Sequence, residues 1–192
     1  MREAIALAEE TGGLHWKGLG VVLLGCVLTL RGNAAAAVDA ITSGVADRRA
    51  TGSTVYLPLI FSHLAGAHAD LGQFDEAWYW IGEAMARAQS TKEKWAEAEI
   101  HRAAGEIALC APVPDVARAE SYFTAALAIA RRQQAKSWEL RTATSYARLM
   151  RDQGRVSEAH DLLAPVYGWF TEGFATPDLK EAEALLYELR SG

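Results

Sequence analysis

Three stretches of this chain can be laid on one another without a gap, and that constrains its fold more than any other feature. They are "LLGCVLTLRGNAAAAVDAI" (23–41), "HLAGAHADLGQFDEAWYWI" (63–81) and "SYARLMRDQGRVSEAHDLL" (145–163). Each carries a glycine (Gly32, Gly72, Gly154), an alanine five positions later (Ala37, Ala77, Ala159) and a large aliphatic four further on (Ile41, Ile81, Leu163). "AAGEIALCAPVPDVARAESYF" (103–123) fits with about two extra residues in its turn, which gives Ala119 and Phe123. The key alanines are therefore 40, 42 and 40 residues apart. An aromatic also recurs near the start of each first segment: Trp16, Tyr56, Trp95 and Trp138. Self-similarity at a fixed period of this size marks stacked helical hairpins.

The local physics agrees. Apolar residues return at three and four rather than at two, alanine is frequent, and β-branched runs are short, which favours helix throughout. Glycine and proline fall between the periodic stretches, at Gly12–Gly13, Gly32, Gly72, Pro112 with Pro114, Gly154 and Pro177. The recurring glycine ends a first helix where the chain needs φ > 0. The alanine lets two helices approach, and the large residue one turn later fills the space beside it. The pattern predicts an all-α domain over 1–192: a partial repeat at 1–13, hairpins at about 14–50, 54–91, 94–134 and 137–174, and a capping helix at about 177–190. Thr176 and Pro177 suit the N-cap and first position of that last helix. "REAIALAEETGGLHW" (2–16) reads like the second-helix segment "AALAIARRQQAKSW" (125–138), so the chain is read as beginning midway through a repeat. No cap precedes it, and the expectation is a sticky N-terminal face through which the chain forms a homodimer.

Charge and hydropathy bound the function. Lys and Arg number 19 against 24 Asp and Glu, a net charge of -5, which argues against nucleic-acid binding through a basic surface. The most apolar run, "LGVVLLGCVLTL" (19–30), has 12 residues, whereas a bilayer-spanning helix needs about 20. A buried helix explains it better, and the chain is expected to be cytoplasmic with no membrane partner. Cys26 and Cys110 lie in apolar helical stretches and read as two buried, reduced thiols.

"ADLGQFDEAWYWIGEAM" (69–85) places Asp75 and Glu76 before Trp78, Tyr79 and Trp80. Carboxylates beside aromatics can form a sugar-binding or hydrolytic site. Yet the same turn recurs as "GRVSEA" with Glu158, and acids there favour the positive end of a helix dipole. Trp78, with Ile81 and Met85, is expected to thicken the core, and Trp80 to face solvent. His15, His63, His68, His101 and His160 form no His-Glu-x-x-His, and neither cysteine belongs to a Cys-x-x-Cys. Gly18, Gly20 and Gly25 look superficially like a phosphate loop, but the spacing is wrong and close helix packing is the better account. No catalytic residue, cofactor site or metal site is expected.

At the turn residues the chain resembles tetratricopeptide repeats. Ala65, Gly72, Ala77, Ile81 and Ala84 follow that family's pattern in the second hairpin, and Ala147, Gly154 and Ala159 follow it in the fourth. The period departs, at about 40 rather than about 34 residues, which implies helices longer by up to a turn each. The resemblance implies a right-handed α-α superhelix of about four to five hairpins. "KWAEAEIHRAAGEIAL", "AESYFTAALAIARRQQAKSWELRTATSYARLMRDQGR" and "LLAPVYGWFTEGFATPDLKEAEALL" further resemble the C-terminal helical-repeat region of bacterial multidomain signalling proteins. In those proteins an adenylate/guanylate cyclase domain and a nucleotide-binding ATPase module precede the repeats.

These resemblances imply a non-catalytic interaction or scaffold module, the regulatory or sensory C-terminal part of such a protein. Its partner would be a peptide or protein domain, including upstream domains of the same polypeptide. First-helix residues would line a concave groove: Glu99, Arg102 and Glu106 in the third hairpin, and Arg141, Thr144, Arg148 and Arg151 in the fourth. The earlier hairpins would offer Val22, Cys26 and Thr29, then Ser62, Gly66 and Asp70. Arginines held on rigid helices suit an acidic partner; solvated charges, or pairing with Glu99, Glu106 and Asp152, are the alternative. Two other readings stay open. One is the repeat region of a large ATPase-containing transcriptional regulator; the other is a small helical enzyme centred on the aromatic trio with Asp75 and Glu76.

Overall fold

The glycine of each superimposed stretch closes the same turn. Gly32, Gly72 and Gly154 have φ of 71°, 74° and 78°. In each case the next residue's amide donates to a carbonyl five residues back: Asn33 to Leu28 at 3.0 Å, Gln73 to His68 at 2.9 Å and Arg155 to Met150 at 2.8 Å. A Cβ would have open space at all three, so backbone conformation, not room, selects glycine. The longer third turn uses another device: the Asp115 carboxylate accepts from the Arg118 amide at 3.0 Å and caps the helix that follows.

The computed structural model describes residues 2–191, and among these there are ten α-helices and no strand. They are α1 (Arg2–Glu10), α2 (Leu14–Leu30), α3 (Ala34–Ala50), α4 (Leu57–Asp70), α5 (Phe74–Thr91), α6 (Glu97–Cys110), α7 (Val116–Gln133), α8 (Lys136–Asp152), α9 (Val156–Tyr167) and α10 (Pro177–Ser191). None is long and apolar enough to cross a membrane. Asp75 and Glu76 stand in the first turn of α5, and Glu158 in that of α9. The chain divides into two compact units, Met1–Ala96 with Cys110–Pro114, and Glu97–Leu109 with Asp115–Gly192.

In the first unit, α1 lies on α2, α2 pairs with α3, and α4 packs on both before pairing with α5. Glycines bring α2 and α3 together. A Cβ on Gly25 would lie 2.5 Å from Ile41 Cγ1, and one on Gly44 would lie 2.8 Å from the Gly18 carbonyl. Ala37 and Ala77 are fully buried, with Ile41 and Ile81 beside them. The second unit repeats the scheme. Ala119 and Ala159 are fully buried, as are Phe123 and Leu163, and Phe123 fills the space that Gly105 leaves, 2.5 Å from where a Cβ would stand. The α10 helix closes the unit by burying Leu179, Ala182, Leu185, Leu186 and Leu189 in a core shared with α8 and α9.

Several side chains depart from expectation. Trp80 is half-buried with its ring 4.9 Å from Phe61, and the exposed member of the aromatic trio is Tyr79. Cys110 is exposed because α6 ends on it; Cys26 is half-buried. The Thr176 hydroxyl donates back to the Gly173 carbonyl at 2.8 Å, so it does not cap α10 even though the Thr176 carbonyl receives the Lys180 amide.

Candidate functional site

Two surfaces carry side chains of interest, one in each unit. The charged one is built on α6 and α8. Glu99 is buried, with 2% of its surface exposed, and a buried carboxylate must be neutralised by close donors. Arg102 supplies a two-pronged contact, Nε to Oε2 and Nη2 to Oε1, both at 2.8 Å. Arg141 reaches the same Oε1 at 3.0 Å from α8, with its guanidinium 5.4 Å from the Trp138 ring centroid. Arg102 also bonds Glu106 at 3.2 Å and Ser145 at 3.3 Å. Burial acts to lower the Arg102 pKa, but the Glu99 charge and hydrogen bond, with Glu106 and Asp178, outweigh it and hold the group above its ordinary range.

Arg148 pairs with Glu181 of α10. Arg151 takes Glu188 of α10 at 2.5 Å and its neighbour Asp152 at 2.9 Å. The structure thus brings Glu99, Arg102, Glu106 and Arg141 into one network and joins Arg148 and Arg151 to α10. Glu99 and Thr144 do not line an open surface as expected. Glu99 is turned inward by its arginines, and Thr144 is buried, donating to the Leu140 carbonyl at 2.9 Å. Glu181 and Glu188 escaped sequence reasoning. Their spacing of seven on an amphipathic helix was visible, but it acquires meaning only when α10 is laid along α8.

The second surface is on α2 and α4. Trp16, Leu23 and Leu30 are 68%, 45% and 70% exposed and step by seven along one face of α2. Half-buried Leu19 and Cys26 stand between them, completing a three-four apolar stripe. Beside it opens a cavity of about 240 Å³ lined by Leu19, Val22, Leu23 and Cys26 from α2 and by Tyr56, Leu59 and Ile60 at the start of α4. Tyr56 has φ 66°. It is held there by the Glu93 carboxylate, which accepts its amide at 2.9 Å, and by an edge contact with Trp95, 5.8 Å between centroids. Burial pushes the Cys26 thiol up to about 11, so at neutral pH it is a protonated, apolar wall. The one charged residue of α2, Lys17, is paired with Glu9 of α1 at 3.2 Å.

The earlier-hairpin expectations fare unevenly. Val22 is fully buried at the cavity, and Thr29 turns its hydroxyl to the Gly25 carbonyl. Ser62 is buried and donates to Leu59, whereas Asp70 is exposed and Gly66 has open space above it. Leu23 and Leu30 were missed because the apolar run 19–30 reads as core, and Trp16 was read only as a repeat position, although their spacing of seven was legible. Among the described residues no three His, Cys, Asp or Glu side chains converge as a metal-ligand set. Compared with models of known protein families and with curated proteins, the chain matches none.

Proposed function

We propose that this chain is a non-catalytic protein–protein interaction module whose binding surface is the α2–α4 apolar stripe and its cavity. The observation that carries this reading is the exposure of Trp16, Leu23 and Leu30 in register beside a side-chain-sized hollow. A contiguous exposed apolar stripe is costly in water and marks contact sites. The hollow is below the roughly 300–1,000 Å³ of small-molecule sites and suits one anchor side chain. The occupant that fits is an amphipathic helix from a partner, its apolar residues at three-four spacing. Bound acids are a weaker fit to the arginines, because Glu99, Glu106, Glu181 and Glu188 already hold them.

The recurring hairpins support a tetratricopeptide-like superhelix, and the C-terminal resemblance supports the regulatory or sensory arm of a bacterial cyclase/ATPase signalling protein. Reading the native locus upstream of Met1 tests the second part. An open frame encoding cyclase and ATPase motifs is the expected result. A DNA-binding helical domain in that frame would move the chain to a transcriptional regulator, and an in-frame stop just upstream would overturn the arm.

A further inference from the structure

A second hollow, in the other unit, has a different chemistry. It measures about 420 Å³ and is lined by Arg131, Gln134, Lys136 and Trp169. Its charges are fixed from beneath. Glu139 is buried at 4% exposure, and its two oxygens accept from Arg131 Nε at 3.0 Å and Lys136 Nζ at 2.7 Å. A guanidinium has five N–H donors and an ammonium three, and Glu139 takes one bond from each. Two cations against one carboxylate leave a net positive charge, held in place before any ligand arrives.

The lining also holds an aromatic. Trp169 is 57% exposed, and the Lys136 ammonium stands over its ring, 5.7 Å from the centroid. A planar ring that takes the exposed indole beside or in place of the ammonium would hold an attached anion near both cations. A phosphate suits this pair of donors, an exposed indole offers a stacking face to a planar base, and the volume falls in the range of small-ligand sites. We infer that this hollow binds a planar aromatic phosphate of nucleoside-monophosphate size, its ring on Trp169 and its phosphate on Arg131 and Lys136. This site does not depend on the reading of the α2–α4 surface.

Isothermal titration calorimetry of the chain with adenosine 5′-monophosphate, adenosine and inorganic phosphate tests it. The monophosphate is expected to bind, with adenosine and phosphate each weaker by about tenfold or more, since stacking and charged hydrogen bonds each supply a term of that order. Trp169→Ala and Arg131→Gln should each weaken the monophosphate by about tenfold, with an unchanged circular dichroism spectrum. If Arg131→Gln melts early, Arg131→Lys replaces it, keeping a cation beside Glu139 while removing the fork. No binding at millimolar monophosphate, undiminished binding to Trp169→Ala, or phosphate alone binding as tightly as the monophosphate would each overturn the assignment.

Discussion

Glu99 on α6 and Arg141 on α8 meet at 3.0 Å, on the same carboxylate oxygen that Arg102 holds at 2.8 Å. One buried acid thus ties two helices through two cations, and removing it would take this carboxylate from Arg141 and leave Arg102 with Glu106 alone as its salt-bridge partner. Glu99→Ala should cost about 3 kcal/mol of stability. Arg148→Ala, which loses a half-exposed pair with Glu181, should cost less than about 1 kcal/mol. Urea denaturation of the two variants checks the contrast, and equal losses would show that burial of Glu99 does not set its weight.

The glycines divide into two kinds with opposite predictions. Gly25→Ala places a methyl 2.5 Å from Ile41 Cγ1 and should destabilise by about 1–3 kcal/mol through overpacking. Gly66 is inside α4 with nothing within 4 Å, so Gly66→Ala should stabilise by about 0.5–1 kcal/mol. Thermal melts of the pair should move in opposite directions. A melt that falls for both would contradict the packing described for α4.

The His101 ring lies near Tyr122, 5.9 Å between centroids, and its Nδ1 is buried without a hydrogen-bond partner. Burial lowers its pKa from 6.5, against an upward pull from Glu97. The folded state therefore binds this proton less well than the unfolded one. Its contribution to stability is complete above 6.5 and is lost as pH falls from there through the folded pKa. Between about pH 7.5 and pH 5.5, above the titration of the carboxylates, the Tm of the native chain should drop more than that of His101→Phe. Parallel curves would show that His101 titrates alike in both states.

Much of this fold was legible because its determinants are local. Gly72 announces a left-handed turn, Ala77 a close helix contact and Ile81 the residue that fills it, and all three follow from spacing alone. The charged site was half legible. Arg102 lies three residues from Glu99 and four from Glu106, so their pairing is written in one helix. Arg151 has a local partner in Asp152, but the α10 partners of Arg148 and Arg151, Glu181 and Glu188, are more than thirty residues away, where only tertiary placement connects them. The apolar surface was misread for another reason: hydropathy reports that Leu23 and Leu30 avoid water, not whether anything covers them.

A selection from a displayed library of helical peptides against the purified chain tests the α2 stripe as the binding surface. The recovered peptides should carry apolar residues at three-four spacing. Leu23→Asp, which changes a 45% exposed side chain at the cavity, should lower Tm modestly, leave the circular dichroism spectrum unchanged and weaken their binding by about tenfold or more. Recovery of acidic peptides that bind Leu23→Asp normally and are lost on charge reversal of the half-exposed Arg148 and Arg151 would contradict this and place the binding surface on α8 instead.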